Sequence, residues 1–358
     1  MNIYRGCTHG CIYCDSRSAC YGIGHDFEDI EVKGNAIELL ESALRRKRTK
    51  GMLGTGSMTD PYILLESRTG YVRKALALAV RYGFGFTLMT KSDRVLRDLD
   101  LLQAINRKTK CVVQMTLTTC DEDLCRKIEP NVSTTKERVE ALKRLHAAGI
   151  PTVVWLCPIL PFINDTEENV RGILSYCREA KVYGVICFGM GLTLREGSRG
   201  YFYAQLDRLF PRLKERYVRT YGMPYQLTSP RNVEPMASFH SFCEENGILH
   251  DNEKIFSYLN TFEEKNSPVQ LSLFDSLQAN GDPRGGEKRL GKRSLLALQI
   301  RKRIRGKLLP QVLSFAWKGE VFSSLLVSPH EKDRGFPTLV SGCVQLCFQG
   351  VSLCQNVK

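Results

Sequence analysis

No apolar run in this chain approaches the ~20 residues that a bilayer-spanning helix needs, which points to a cytoplasmic protein. No secretory pattern precedes the first cysteine, and the 14 cysteines are scattered over 358 residues rather than packed into a small scaffold. A disulfide framework is therefore not expected. Internal repeats are absent as well. Acidic residues are in deficit, with 38 Asp+Glu against 51 Lys+Arg and a formal net charge of +13. The deficit is uneven: residues 1–276 hold 37 basic and 33 acidic side chains, residues 277–358 hold 14 and 5. The larger part is only mildly basic, so the total charge says little about nucleic acid. Apolar content of 43% and charged content of 25% are ordinary for a globular protein. The length allows a barrel of roughly 200–250 residues plus an extension.

What the chain does have is a triad at its start. Cys7, Cys11 and Cys14 follow a C-x₃-C-x₂-C spacing, with Tyr13 just before the last cysteine. Zinc sites and closed iron–sulfur sites normally take four protein ligands. Three thiolates on a short loop can instead hold three irons of a [4Fe–4S] cluster and leave the fourth open to a small molecule. A zinc knuckle that recruits His9 is the competing reading, but His9 is two residues from each neighbouring cysteine and makes a poor tetrahedron. Gly6 and Gly10 mark a loop rather than a buried stripe, and Cys20 is read as a spare thiol. The spacing and the aromatic resemble the signature of radical S-adenosylmethionine (SAM) enzymes. That resemblance implies a cluster whose open iron chelates SAM and drives its reductive cleavage to a 5′-deoxyadenosyl radical.

From residue 33 to about 220, helical and strand patterns alternate at the pace of βα units. Helices are expected over Asn35–Arg48, Arg68–Tyr82, Asp93–Asn106, Thr134–Ala148, Asp165–Lys181 and about Arg199–Tyr217. Ser92 or Asp93, and Asn164 or Asp165, are the expected N-caps, and Gly149 is the expected C-terminal stop. Strands are expected over Met1–Arg5, Gly51–Gly56, Phe84–Thr90, Cys111–Thr118, Thr152–Pro158 and Val182–Met190. Runs such as Val153–Leu156 and Val185–Phe188 fit a parallel sheet buried on both faces. Six such units make an α/β fold, a partial (β/α)₆ barrel, with functional groups at the C-terminal strand ends. Two further helices, Pro235–Asn246 and Asn252–Phe262, form a lobe. Gln278–Arg293 reads as a linker and Ser294–Lys307 as a basic helix.

The strand ends supply the candidate contacts. Gly54 to Tyr62 offers exposed backbone and Ser57 to the amino-acid part of SAM, with Asp60 as a further acceptor. The competing reading is a plain Gly-rich turn in which Asp60 precedes Pro61. Lys91 is a candidate partner for the SAM carboxylate, against an ordinary surface lysine. Thr116 and Thr118 share a face by alternation and are candidates for the ribose, against β-prone filler. The glycines of Gly189-Met190-Gly191 could leave room for adenine.

Several runs together are similar to the spore photoproduct lyase-like group of radical SAM proteins. They are Tyr4 to Cys14, Thr59-Asp60-Pro61-Tyr62 with Glu66, Arg97 to Leu102, Glu129-Pro130-Asn131-Val132 with Arg138, and Pro158 to Asp165. The resemblance covers about residues 1–275 and implies a SAM-bound [4Fe–4S] cluster held by Cys7, Cys11 and Cys14. It also implies SAM contacts at Tyr13, Ser57, Asp60, Lys91 and Thr116, and an electron donor such as flavodoxin or ferredoxin. Three features depart from it. Ser57 stands where the lyases carry a cysteine hydrogen donor, Met1 lies only six residues before Cys7, and nothing after about Asp275 is similar. The domain expectation is a barrel over 1–222, a helical lobe over 223–275 and an unassigned basic tail over 276–358. Gln270-Leu271-Ser272-Leu273-Phe274 resembles the peptide by which repair proteins bind the sliding clamp. That run supports a second reading, repair of damaged DNA. A third is a non-catalytic iron–sulfur or zinc protein that binds nucleic acid.

Overall fold

The computed structural model describes residues 1–265. The chain divides into two units, Met1–Pro268 and Val269–Lys358. The Gln270–Phe274 peptide, the linker and the basic helix all lie outside the described residues.

The chain opens with β1 (Tyr4–Arg5), which pairs antiparallel with β2 (Glu31–Val32). The first expected strand therefore stands apart from the parallel sheet. Next come α1 (Ala36–Arg46) and β3 (Met52–Thr55). The expected helix over 68–82 is split into α2 (Glu66–Thr69) and α3 (Tyr71–Tyr82). Gly70 sits between them at φ +63°, a left-handed conformation that ends one helix and starts another. After β4 (Gly85–Thr90), a tight 3₁₀ segment over Asp93–Asp98 leads into α4 (Leu99–Lys108). Ser92 caps it by accepting from Arg94 N.

Then follow β5 (Cys111–Thr116), the short α5 (Glu122–Ile128), α6 (Thr135–Ala147) and β6 (Thr152–Trp155). Thr134 and Glu137 form a reciprocal capping box at the start of α6, which fixes that boundary. For α7 (Glu167–Glu179) the cap is Thr166 rather than Asn164 or Asp165. Those two side chains are spent elsewhere: Asn164 binds Leu160 N and Thr118 O, and Asp165 accepts from Ser229.

Beyond β7 (Gly184–Ile186), a small cap is built from β8 (Gly191–Thr193), α8 (Ser198–Leu209), α9 (Leu213–Tyr221) and β9 (Gln226–Thr228). A single helix was expected over most of this stretch. Pro211 breaks it, because proline lacks an N–H and disfavours helical backbone in the residue before it. β8 and β9 pair antiparallel and were not legible as strands. The lobe consists of α10 (Val233–Glu245) and α11 (Asn252–Asn260).

β3 to β7 form one parallel sheet in sequence order, the sheet of a partial β/α barrel. Its outer face buries Val113, Met115, Val154 and Val185 against the helices. Part of its inner face is plugged by α11: Val112 and Val153 near the starts of β5 and β6, and Ile186 at the end of β7, pack with Ile255 and Leu259. Above that plug, Gln114 donates to Thr87 Oγ1 (2.7 Å) and accepts from Trp155 Nε1 (2.8 Å). The inner face thus turns polar toward the C-terminal strand ends, where the site lies.

Candidate active site

The cysteine loop runs from β1 across the barrel mouth. Gly6 holds φ +85°, and a Cβ there would fall 2.5 Å from Phe27 O, so the turn that launches the loop requires glycine. The loop is then laced to the segment after α5. Ile12 N donates to Ile128 O (3.0 Å), Asn131 N to His9 O (3.1 Å) and Asn131 Nδ2 to Thr8 O (2.9 Å). Cys7 and Cys11 are buried and Cys14 is half-buried, and all three thiols are free. Burial, reinforced by the charge of Asp60, pushes the Cys7 thiol up to about 12. Burial likewise raises Cys11 and Cys14, while Lys91 pulls both the other way.

His9 is the residue that would complete a zinc site, and it is turned away from that role. Its Nε2 lies 3.1 Å from Asp60 Oδ2, an ion-pair distance without good hydrogen-bond alignment. Among the described residues no three His, Cys, Asp or Glu side chains converge on a single ion. A four-iron cube spreads its thiolates more widely than one ion does, and three free thiols on one loop fit it.

Asp60 ties the end of β3 to the end of β4. Its Oδ1 accepts from Tyr62 N (2.8 Å) and Thr90 Oγ1 (2.8 Å), and its Oδ2 accepts from Lys91 N (2.6 Å). Burial works against its charge, but His9 and these donors outweigh it and hold the carboxyl at about 2. With both oxygens engaged, Asp60 is a positioning residue for the loop and for Lys91. Ahead of it, Gly56 sits at φ +102°, and a Cβ there would collide with Met89 O. Only glycine lets this loop lie against β4.

A second buried chain of contacts starts at Tyr13. Its hydroxyl donates to Glu129 Oε1, and Glu129 Oε2 accepts from Arg138 Nη2. Arg138 also donates to Thr116 O (2.7 Å) and contacts Cys125 Sγ (3.0 Å). The Glu129–Arg138 side chains have no exposed surface. Burial raises the Glu129 carboxyl, yet Arg138 and then Lys91 bring it below the usual range. Tyr13, Glu129, Arg138 and the end of β5 are thus one unit that fixes the cysteine loop to the sheet. Sequence reading named Glu129 and Arg138 only as parts of a family pattern. Their pairing depends on a turn between α5 and α6 that no periodicity reveals.

The remaining candidates line the mouth. Ser57 is exposed and Lys91 half-buried, while Thr116 and Thr118 are buried. The Lys91 ammonium lies 5.9 Å from the Tyr13 ring centroid. Burial disfavours its charge, but Cys11, Glu129 and Asp60 outweigh that and raise it above its ordinary value. Thr118 Oγ1 is buried without a partner. Other family-like runs are scaffold. Glu66 accepts from Tyr4, Val72 N and Arg97, and Asp98 accepts from Tyr62, Arg73 and Arg97. These contacts bind β1 and α3 to the segment before α4.

Comparison with known proteins agrees with this geometry. Residues 1–174 match the radical SAM superfamily. An uncharacterised protein of Mycobacterium tuberculosis is 32% identical over 242 residues, which cover 65% of this chain and 70% of the relative. A radical SAM Nα-GlyT isomerase of Pseudomonas phage M6 is 24% identical over 253 residues, 68% of this chain and 51% of that protein. Among solved structures, a spore photoproduct lyase complexed with dinucleoside spore photoproduct superposes with a TM-score of 0.50. It is 14% identical, and the match covers 68% of this chain and 72% of that one. At that identity the likeness speaks for the fold. With a cysteine triad at the mouth of a partial parallel barrel, the chain belongs to the radical SAM superfamily and is a radical SAM enzyme.

Proposed function

We propose that Cys7, Cys11 and Cys14 ligate a [4Fe–4S] cluster, and that SAM binds beside it across the ends of β3, β4 and β5. The observation that carries this reading is the number of available donors, three free thiols with the neighbouring imidazole committed to Asp60. When bound, the cluster and SAM supply reductive cleavage to methionine and a radical that takes hydrogen from a substrate. The chain itself supplies position and shielding. The buried ring of Tyr13 helps keep water from the loop. Lys91, oriented through its own backbone by Asp60, offers positive charge to the SAM carboxylate. Ser57 and the backbone of the β3 loop are available to the amino-acid part, and Thr116 to the ribose.

Damaged DNA is the second reading, supported by the fold likeness to a lyase complexed with a dinucleoside photoproduct. Ser57 argues against the lyase route, because a serine O–H bond is too strong to give hydrogen to a thymine-type radical. The test is anaerobic reconstitution followed by reduction with dithionite. About four iron and four sulfide per chain, with formation of 5′-deoxyadenosine, are expected. Bound zinc, or a cluster that leaves SAM intact, refutes the proposal.

A further inference from the structure

The segment that folds over the barrel mouth side of the cysteine core carries an excess of positive charge. Residues 195–231 carry eight Lys/Arg and three Asp/Glu, whereas the rest of residues 1–265 carry 29 of each. Within this cap, Arg212 stands at the N-cap of α9 and Arg216 and Arg219 lie on the helix, and all three are exposed. Arg208 and Arg231 are also exposed, and Lys214 is paired with Asp207 (2.6 Å). Arg216 lies 3.9 Å from the ring centroid of Phe162, in the loop at the end of β6. Apolar side chains stand among these arginines: Val218 is 48% exposed and Met223 76%. Arginine mixed with exposed apolar groups is the composition of a protein interface rather than of a purely phosphate-binding strip.

Another face of the same helix belongs to the core that holds the cysteine loop. Tyr217 is fully buried in a core that also contains Cys11, Ile12 and Tyr13. One helix thickness, about 10–12 Å, therefore separates the arginine stripe from that core. The other approach to the loop has the wrong sign for an anionic partner. Between residues 15 and 31 stand Asp15, Asp26, Glu28, Asp29 and Glu31, with Arg17 alone of opposite formal charge. Arg17 is itself paired with Glu28.

We propose that the start and outward face of α9, through Arg212 at its N-cap and Arg216 and Arg219 on the helix, dock an acidic protein that delivers single electrons to the cysteine loop. Radical SAM enzymes need a reductant, and the proposal rests on Cys7, Cys11 and Cys14 holding a redox cluster. The donor, a flavin or iron–sulfur protein, loses one electron and the cluster gains one. Complementary charge speeds encounter and fixes orientation, and salt weakens it.

The test uses the full chain and an acidic bacterial flavodoxin as the probe. The variant R212E/R216E/R219E is compared with wild type and with R45E/R46E/R48E, an equal charge reversal at the end of α1. Affinity for oxidised flavodoxin is measured by calorimetry at low and high salt, which needs no cluster. The α9 variant is expected to bind at least tenfold more weakly, the α1 variant as wild type. The basic residues beyond 276 are untouched in both variants, so a selective loss belongs to α9. In reconstituted protein, 5′-deoxyadenosine formation driven by flavodoxin, its reductase and NADPH should fall, while dithionite-driven formation stays unchanged. Unchanged flavodoxin affinity overturns the proposal, as does an equal loss with dithionite. Loss of single-stranded DNA binding with flavodoxin binding intact overturns it in favour of a nucleic-acid face. Absence of SAM cleavage in wild type refutes the functional reading, and the calorimetry still judges the docking face.

Discussion

The two ends of the barrel lumen are lined by the same strands and are put to opposite uses. Near the starts of β5 and β6, Val112 and Val153 meet Ile255 and Leu259 of α11 in an apolar plug that Ile186, at the end of β7, completes. Two and four residues further along β5 the inward positions become Gln114 and Thr116, and the mouth adds Ser57 and Lys91, while Trp155 packs on the plug and donates to Gln114. The alternation that buries one end therefore presents polar groups at the other. Stability can be concentrated in the plug because the mouth is held by its own hydrogen-bonded unit. In that unit, Asp60 and the Tyr13–Glu129–Arg138 chain meet at the cysteine loop.

The separation can be tested from its strongest consequence downward. Replacing Cys7, Cys11 and Cys14 together by alanine should remove nearly all iron and abolish SAM cleavage, read by iron and sulfide assay and by 5′-deoxyadenosine. Retention of a full cluster would move the site elsewhere. Glu129→Ala strands a buried guanidinium and should cost about 3–5 kcal/mol in urea unfolding. A cost below about 1 kcal/mol would mean that Arg138 finds water and that the chain of contacts is not rigid. At the other end, Leu259→Ala should cost about 2–5 kcal/mol through the cavity it leaves, with the dissociation constant for SAM unchanged. A change in SAM affinity there would couple the two ends. The smallest effect is expected at the mouth. Lys91→Met should weaken SAM about tenfold, ~1.4 kcal/mol, while stability stays within about 0.5 kcal/mol of wild type. If Lys91→Met instead unfolds the protein and spares SAM binding, Lys91 is scaffold.

Much of this division could be read in the chain. Thr134 with Glu137 marks the start of α6, the apolar strands forecast a two-sided parallel sheet, and the spacing of Cys7, Cys11 and Cys14 forecast three thiols on one loop. Breaks were harder to see. Gly70 splits one expected helix and Pro211 another, because in both places the apolar period continues across a backbone that cannot. The antiparallel pairing of Tyr4–Arg5 with Glu31–Val32 also escaped, since two-residue ladders leave no periodic signal.

By itself the sequence determined the number of thiol donors, the alternation of strands and helices, and the residue types at each strand end. These are local properties, set by spacing along one chain. Only the tertiary structure decided that His9 faces Asp60 instead of completing a metal site. The same holds for the burial of Glu129 against Arg138 and for the second face of the α9 arginine stripe, which belongs to the core shared with Cys11. Each depends on segments distant in sequence meeting at one point, where burial and charge, rather than spacing, set what a side chain can do.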